Sequence, residues 1–159
     1  MIMRIGVVGD IHGNDAGLKK AIREMGAIDL LLFTGDGFRE IHRLQDELKV
    51  RIEGVAGNCD LYSTYPPEQM LSLEGYRILL THGHFHGVKK DLIRLGMAGR
   101  DQQVHLVVFG HTHEALCTDW HEIKLFNPGS LSLERSFRGP SYGIIYLSES
   151  GIETIINRF

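Results

Sequence analysis

Short apolar runs recur along the chain, and most of them end at a glycine that is followed by a polar side chain. Short runs rich in Val, Ile, Leu and Phe are typical of strands buried on both faces. The predicted strands occupy residues 3–10, 28–36, 50–60 and 104–113, with one hairpin over residues 70–83 and another over residues 141–159. The first hairpin is expected to turn at Glu74-Gly75 and the second near Glu149 to Gly151.

Helical periodicity separates several of these strands. Residues 13–26 carry an apolar stripe between Asn14, which suits an N-cap, and Gly26, which suits a helix stop. Residues 38–48 and 88–97 predict two further helices. Strands alternate with helices at first and dominate later, so the pattern predicts an α/β fold with two stacked sheets flanked by helices. No repeat or linker interrupts residues 1–159, and we expect one domain.

Composition narrows the class of protein. The 159 residues carry a formal net charge of −3, with 43% hydrophobic and 23% charged residues. This balance argues against a partner such as DNA or RNA, which requires a basic surface. Two cysteines form no disulfide framework, and no apolar run has the length of a membrane span. Because the first residues also show no signal-peptide pattern, we expect a cytoplasmic protein that does not contact membranes.

Polar residues follow five of the predicted strands. They are Asp10, His12, Asp36, Asn58, His82, His111 and His113. Ligand sites in α/β sheets gather at the carboxyl ends of strands, so these side chains are expected to converge. They offer oxygen and imidazole nitrogen without thiolate, which suits Mn²⁺, Fe, Zn²⁺, Co²⁺ or Ni²⁺. Seven ligands exceed the need of one tetrahedral zinc ion and suit two ions about 3.5–4 Å apart that share a bridging carboxylate.

Such a pair of ions would give the centre a net positive charge. It would attract an anionic phosphate, and it would lower the pKa of bound water toward ~7. Taken singly, each residue has an ordinary alternative role. A Gly-Asp after a strand is usually a turn or a cap, and a buried histidine is usually a hydrogen-bonded core residue. Only the seven together, each at a strand end, predict a metal centre.

The motifs GDIHGN, GDG, GNCD, THGH and GHTH occur in this order along the chain. In this order they resemble the signature of the calcineurin-like metallophosphoesterases. With NPGS at residues 127–130 and a short chain, the sequence is most similar to the small prokaryotic phosphodiesterases of the YfcE type. The resemblance implies a four-layer αββα sandwich of two mixed sheets without a cap domain. It also implies in-line attack by a metal-bridging hydroxide on the phosphorus of a small phosphate ester.

The resemblance also implies a ligand set for two divalent ions. Asp36 would bridge them. The ligands of the first ion would be Asp10, His12 and His113, and those of the second Asn58, His82 and His111. Manganese is the metal expected first, and Ni, Fe, Zn and Co are alternatives.

The residues that assist the leaving group are less clearly marked. Many larger members of the family carry a histidine directly after the metal-binding asparagine, and here Cys59 occupies that position. Cys59, Asp60 and His84 are therefore the catalytic candidates, and Asn58 and His84 are the candidates for contact with the substrate phosphate. Each catalytic candidate has a structural alternative. Cys59 would pack as a small residue, Asp60 would hold the turn, and His84 would form a supporting hydrogen bond.

Three functions stay open at this level. A phosphodiesterase for small substrates is the leading hypothesis, because a missing acid histidine favours activated diesters. A phosphomonoesterase is the near alternative. The third is a non-catalytic scaffold, the role of a eukaryotic retromer subunit with the same small fold. Without a cap domain the site is expected to be open, unless a second copy of the chain covers it in a homo-oligomer.

Overall fold

The computed structural model describes residues 1–136 and 138–159. The strands are β1 (Met3–Val8), β2 (Leu30–Phe33), β3 (Arg51–Gly54), β4 (Glu68–Leu73), β5 (Tyr76–Thr81), β6 (Leu106–Val108), β7 (Ala115–Trp120), β8 (Ile123–Pro128), β9 (Ser141–Ser148) and β10 (Gly151–Arg158). The helices are α1 (Asp15–Met25), α2 (Phe38–Leu44) and α3 (Ile93–Asp101), with a 3₁₀ helix at His84–His86. No helix within the described ranges is long and apolar enough to cross a membrane.

The strands form two mixed sheets. The first has the order β10-β9-β1-β2-β3, and the second has the order β4-β5-β6-β8-β7. In the first sheet β1, β2 and β3 are parallel, and in the second β5, β6 and β8 are parallel. The outer strands β4, β7, β9 and β10 join through antiparallel pairings. Each sheet therefore presents one block of three parallel strands, which is the arrangement that collects strand ends at one edge.

Alternate residues of the central strands pack on opposite faces. Leu32 and Val108 belong to a core between the two sheets, whereas Leu31 packs with α1 and α2 and Val107 packs with α3. All four side chains are fully buried. Burial on both faces explains why these strands are continuous apolar runs rather than alternating ones. The layers are helices, sheet, sheet and helix, which confirms the expected αββα sandwich.

Helix α3 begins later than the sequence predicts. The expected helix covers residues 88–97, whereas α3 spans Ile93–Asp101. Gly87 takes a left-handed conformation with φ of 60° and ends the 3₁₀ helix, so the chain turns there instead of continuing as a helix. Asp91 then accepts the N–H of Ile93 at 3.0 Å through its Oδ1, which satisfies a free donor at the start of α3.

The hairpin of β7 and β8 is absent from the sequence-based expectations. It turns at residues 121–122, where His121 has a φ of 55°. β7 is an edge strand, and its alternation of apolar and polar residues is weak because much of it is exposed. Cys117 is exposed on this strand, and its sulfur lies 2.9 Å from the hydroxyl of Thr154.

The substitution Phe126→Ala should lower the free energy of unfolding by about 3–5 kcal/mol. Phe126 is fully buried in the core between the sheets, so its loss leaves a cavity. Chemical denaturation measures the change. The control is Ile155→Ala on the edge strand β10, where the side chain is 44% exposed and the cost should stay near 1 kcal/mol. Equal costs at the two positions would contradict the four-layer packing.

Candidate metal centre

The carboxyl ends of five parallel strands meet at one edge of the sandwich. β1 leads to Asp10 and His12, β2 to Asp36, β3 to Asn58, β5 to His82, and β6 to His111 and His113. The structure therefore brings together all seven side chains that the sequence predicts as ligands. Their contacts fall into two clusters.

The first cluster contains Asp10, His12 and His113. The Nε2 atoms of His12 and His113 lie 3.3 Å apart. Asp10 Oδ1 lies 3.5 Å from Nε2 of His113 and 3.9 Å from Nε2 of His12. The three ligand atoms are thus close enough to hold one ion.

The second cluster is built around His82, which is fully buried. Its Nε2 lies 2.9 Å from Oδ1 of Asn58 and 3.1 Å from Nδ1 of His111. Asp36 lies between the two clusters. Its Oδ2 is 3.3 Å from Nε2 of His82 and 3.7 Å from Nε2 of His12, so one carboxylate faces both potential ion positions.

Backbone conformation separates these residues from ordinary strand ends. Among the described residues, the non-glycine residues with positive φ include five of the seven predicted ligands. They are Asp10, His12, Asp36, His111 and His113. Left-handed conformations are costly for residues with a Cβ and persist where surrounding contacts enforce them, which is common at functional sites. The turns aim these side chains at one point at a cost in backbone strain.

Asp10 provides the test of whether these residues fit a cation. Its Oδ2 accepts the backbone N–H of His111 at 2.9 Å. Its Oδ1 is buried and has no hydrogen-bond partner among the described residues. A buried carboxylate oxygen without a partner is costly, and a bound cation removes that cost. Gly110 permits this approach, since a Cβ there would lie 2.8 Å from Asp10 Oδ2.

His82 is oriented for a ligand role by its second ring nitrogen. Its Nδ1 lies 2.7 Å from the carbonyl oxygen of Thr34 and donates to it, which directs the lone pair of Nε2 into the second cluster. Burial opposes a charge on this ring, but the hydrogen bond with Asp36 and the charge of Asp10 raise its pKa. A protonated His82 and a divalent ion are alternatives here, because both neutralise the same carboxylates.

Charge states at neutral pH suit cation binding. Burial disfavours the ionised form of Asp36, but the hydrogen bond and charge of His82, together with the N–H of Cys59, hold its pKa at about 2. Burial lowers the pKa of His12, and burial with the charge of His82 lowers that of His111 to about 4. Ionised carboxylate and neutral imidazole are the forms that bind divalent metals.

Asp60 holds two of the strand-end loops together. Its Oδ2 accepts the backbone N–H groups of Asp36 and Gly57, and its Oδ1 accepts those of Gly37 and Phe38, at 2.7–3.0 Å. Four donors therefore occupy both oxygens of one carboxylate. This geometry favours the turn-holding alternative for Asp60 over direct catalysis.

Cys59 does not pack in the interior, and the packing interpretation is wrong. The residue is exposed, and its backbone N–H donates to Asp36 Oδ1 at 2.8 Å. Desolvation and the nearby charge of Asp36 raise the pKa of its thiol. The neutral thiol is therefore the form present beside the centre at neutral pH.

His84 lies beside the second cluster, on the 3₁₀ helix. Its ring centroid is 5.2 Å from that of His82 and 6.0 Å from that of His111. Its Nδ1 is buried without a hydrogen-bond partner in the described residues. His86 at the end of the same helix binds the carboxylate of Glu68 on β4, which fixes the helix against the second sheet.

Residues of β8 and of the segment after it hold the loops that carry the predicted ligands. Residues 127–130, which carry the NPGS motif, lie beneath the site, and the first two of them belong to β8. The buried amide of Asn127 donates to the Thr112 hydroxyl at 3.0 Å and to the Gly110 carbonyl. The Ser130 hydroxyl donates to the backbone carbonyl of Asp10 at 2.6 Å. The NPGS motif was the only sequence signal for these contacts.

Comparison with known proteins identifies the family. The model of the calcineurin-like phosphoesterase superfamily domain matches residues 3–150. The probable metallophosphoesterase YsnB of Bacillus subtilis is 32% identical over 147 residues, which cover 91% of this chain and 85% of YsnB. The chain therefore belongs to the calcineurin-like phosphoesterase superfamily, and the resemblance seen in the motifs is confirmed. The phosphodiesterase YfcE of Escherichia coli is 34% identical over 108 residues, covering 63% of this chain and 55% of YfcE.

Solved structures agree in fold. A predicted phosphoesterase from Streptococcus pneumoniae superposes with a TM-score of 0.83 at 25% identity, over 99% of this chain and 90% of that one. Vps29 from Entamoeba histolytica, solved in complex with zinc, has a TM-score of 0.74 at 21% identity, over 98% of both chains. The Vps29 likeness shows the shared fold alone.

Asp60→Asn should lower the free energy of unfolding by about 1–3 kcal/mol, because the amide NH₂ would face backbone donors that now share a carboxylate oxygen. Urea denaturation of the metal-free protein measures the difference. The matched control is Asp46→Asn, an exposed position where the change should be near zero. If both variants unfold like the parent protein, Asp60 does not hold the loops.

Glu68→Gln tests whether the contact between His86 and Glu68 holds the 3₁₀ helix in place. The test compares the stability of the variant and the parent protein at two pH values. The hydrogen bond from His86 holds the pKa of Glu68 below its usual value. A carboxyl group whose pKa is lower in the folded than in the unfolded protein stabilises the fold at pH values above its unfolded pKa, which is near 4.3. This stabilisation is lost as the pH falls through the pKa of the folded protein. The variant should therefore be less stable by about 0.5–1 kcal/mol at pH 6 and closer to the parent at pH 3. If the difference in stability is the same at both pH values, or if Glu74→Gln produces the same difference, the contact between His86 and Glu68 does not hold the helix.

Proposed function

We propose that the protein is a dinuclear-metal-dependent phosphoesterase whose main substrates are small phosphodiesters. The observation that carries the proposal is the position of the buried Asp36 carboxylate between two clusters of ligand atoms. One cluster is Asp10, His12 and His113, the other is Asn58, His82 and His111, and Asp36 contacts both through His12 and His82. A structural hydrogen-bond network would not need a buried, unpartnered Asp10 oxygen beside three imidazoles.

In this proposal Asp36 would be a ligand shared by two divalent ions. Asp10, His12 and His113 complete the site of the first ion, and Asn58, His82 and His111 complete that of the second. Ions at such sites supply Lewis-acid activation of water and of the phosphoryl group. Manganese is the proposed metal, and the donor set also suits Ni, Fe, Zn and Co.

The protein's own residues then orient the substrate. Asn58 is exposed at the end of its loop while its side-chain oxygen contacts His82, so it can contact a phosphate as well. His84 lies next to His82 with one unpartnered buried nitrogen, and we assign it a hydrogen bond to a phosphate oxygen. Burial lowers the pKa of His84, which favours this role over that of a protonated acid. Cys59 and Asp60 are not assigned proton transfer.

Small diesters are favoured over monoesters for two reasons. No imidazole follows Asn58 to protonate a poor leaving group, so activated esters should react best. A cavity of about 320 Å³ also adjoins His12 and Asp36 and is lined by Phe38, Leu61 and Tyr62, which offers room for one ester arm. The name of the E. coli relative, a phosphodiesterase, supports the same preference. In this proposal residues 1–159 act as one domain with no cap.

The decisive experiment measures hydrolysis of bis(p-nitrophenyl) phosphate and p-nitrophenyl phosphate by metal-stripped protein. Mn²⁺, Ni²⁺, Zn²⁺ and Mg²⁺ are added back singly. Turnover should require metal, favour the diester, and fall at least about hundredfold in Asp36→Asn, because the shared ligand is lost. Metal analysis should find two ions per chain in the parent protein and fewer in the variant.

The control Asp46→Asn should match the parent protein in rate and metal content. If the monoester is turned over as fast as the diester or faster, the protein is a phosphomonoesterase rather than a phosphodiesterase. A folded protein without turnover under any metal would favour the scaffold, the function that we keep as the alternative because Vps29 shares the fold.

A further inference from the structure

Several arginines near the candidate metal centre have no side-chain partner among the described residues. Elsewhere, Arg43 pairs with Asp15 and Arg77 binds the carbonyl of Gln102. Near the centre, four arginine side chains form no hydrogen bond or ion pair with any described residue. They are Arg39, Arg135, Arg138 and Arg158. In a chain with a net charge of −3, this local excess of free cations suggests a site for anions.

Two of these arginines line a separate cavity of about 200 Å³. Its walls are His113, Glu114, Ala115, Arg138 and Arg158. Arg158 is the last residue of β10, whereas Arg138 lies on the segment between β8 and β9. Two parts of the chain that are distant from each other in sequence therefore bring guanidinium groups to one cavity.

The charge of this cavity is positive even with its acidic residue included. Glu114 is exposed and forms no ion pair with either arginine in the part of the chain that the structure describes. Two guanidinium groups thus face one carboxylate. Guanidinium groups bind phosphate oxygens through paired N–H donors, and a phosphate between two of them would relieve their mutual repulsion.

The cavity borders the reaction centre directly. His113 lines it and also lies 3.5 Å from Asp10 Oδ1 in the first cluster. The larger cavity beside His12 and Asp36 shares none of these lining residues and contains Phe38, Leu61 and Tyr62. A substrate arm that enters past His113 therefore meets two arginines. An arm that enters past His12 meets a partly apolar wall whose one arginine, Arg39, shares the cavity with the acidic Glu40 and Asp60.

We infer that the cavity between Arg138 and Arg158 binds a second phosphate group of the substrate, so that preferred substrates are phosphodiesters with a further phosphate on one arm. This inference rests on the proposed phosphodiesterase function. It assigns the two arginines to binding and specificity, with no role in bond cleavage.

The test compares two esters with the same leaving group in the presence of the activating metal. One is thymidine 5′-(p-nitrophenyl phosphate), and the other is the same ester with a 3′-phosphate. The parent protein should hydrolyse the phosphorylated ester with a kcat/KM about tenfold higher, mainly through a lower KM. In Arg138→Gln and Arg158→Gln the ratio should fall toward one. In Arg23→Gln, an exposed arginine on α1 with the same charge change, the ratio should stay near ten.

The possible outcomes separate this inference from the proposed function. Turnover of both esters with a ratio near one in the parent protein would overturn the phosphate site and leave the diesterase intact. If the ratio falls equally in Arg23→Gln, the preference is an effect of net charge, and this outcome would also overturn the site. If neither ester is hydrolysed, calorimetric titration with thymidine 3′,5′-bisphosphate still decides. Weaker binding in Arg158→Gln than in Arg23→Gln supports the site, and equal binding rejects it.

Discussion

The candidate site depends on the alignment of two blocks of parallel strands across one apolar core. β1, β2 and β3 in the first sheet and β5, β6 and β8 in the second run so that their carboxyl ends meet at the same edge. Side chains such as Leu32 and Val108 fill the space between the sheets and fix this alignment. A slip of one residue in any of these strands would exchange its two buried faces and move its terminal ligand away from the others.

Burying polar groups and straining the backbone at this edge lowers the stability of the fold, and the burial of the apolar core offsets this loss. Asp10 and Asp36 are carboxylates with almost no exposure, and most of the predicted ligands have left-handed backbones. Asp60, Ser130 and Asn127 use backbone hydrogen bonds to keep the loops in these conformations. Among the described residues, the buried side-chain atoms without a hydrogen-bond partner are Asp10 Oδ1, Thr34 Oγ1 and His84 Nδ1. Local instability of this kind is expected where geometry serves binding rather than stability.

The charges around the centre suggest how one small domain could select its substrates. Asp10, Asp36 and His82 are buried, the exposed Arg138 and Arg158 line one cavity beside His113, and a partly apolar cavity lies beside Asp36. A phosphate would meet the rim before it reached the centre, and the distribution of guanidinium groups would decide which arm enters which cavity. Vps29 shares this fold at 21% identity, and a shared fold does not by itself determine activity. Function in this family must therefore be argued from the residues at the strand ends.

The sequence by itself determined the class of fold, the order of the central strands and helices along the chain, and the residues that gather at their ends. These follow from local patterns, since continuous apolar runs, helical stripes and Gly-Asp or Gly-His steps are visible in short windows of sequence. Only the tertiary structure decided that Asp60 binds four backbone donors, that Cys59 is exposed, that β7 and β8 form a hairpin, and that Arg138 and Arg158 share a cavity. Each of these depends on contacts between segments, or on exposure at the edge of a sheet, and local periodicity carries no information about which distant residues will meet.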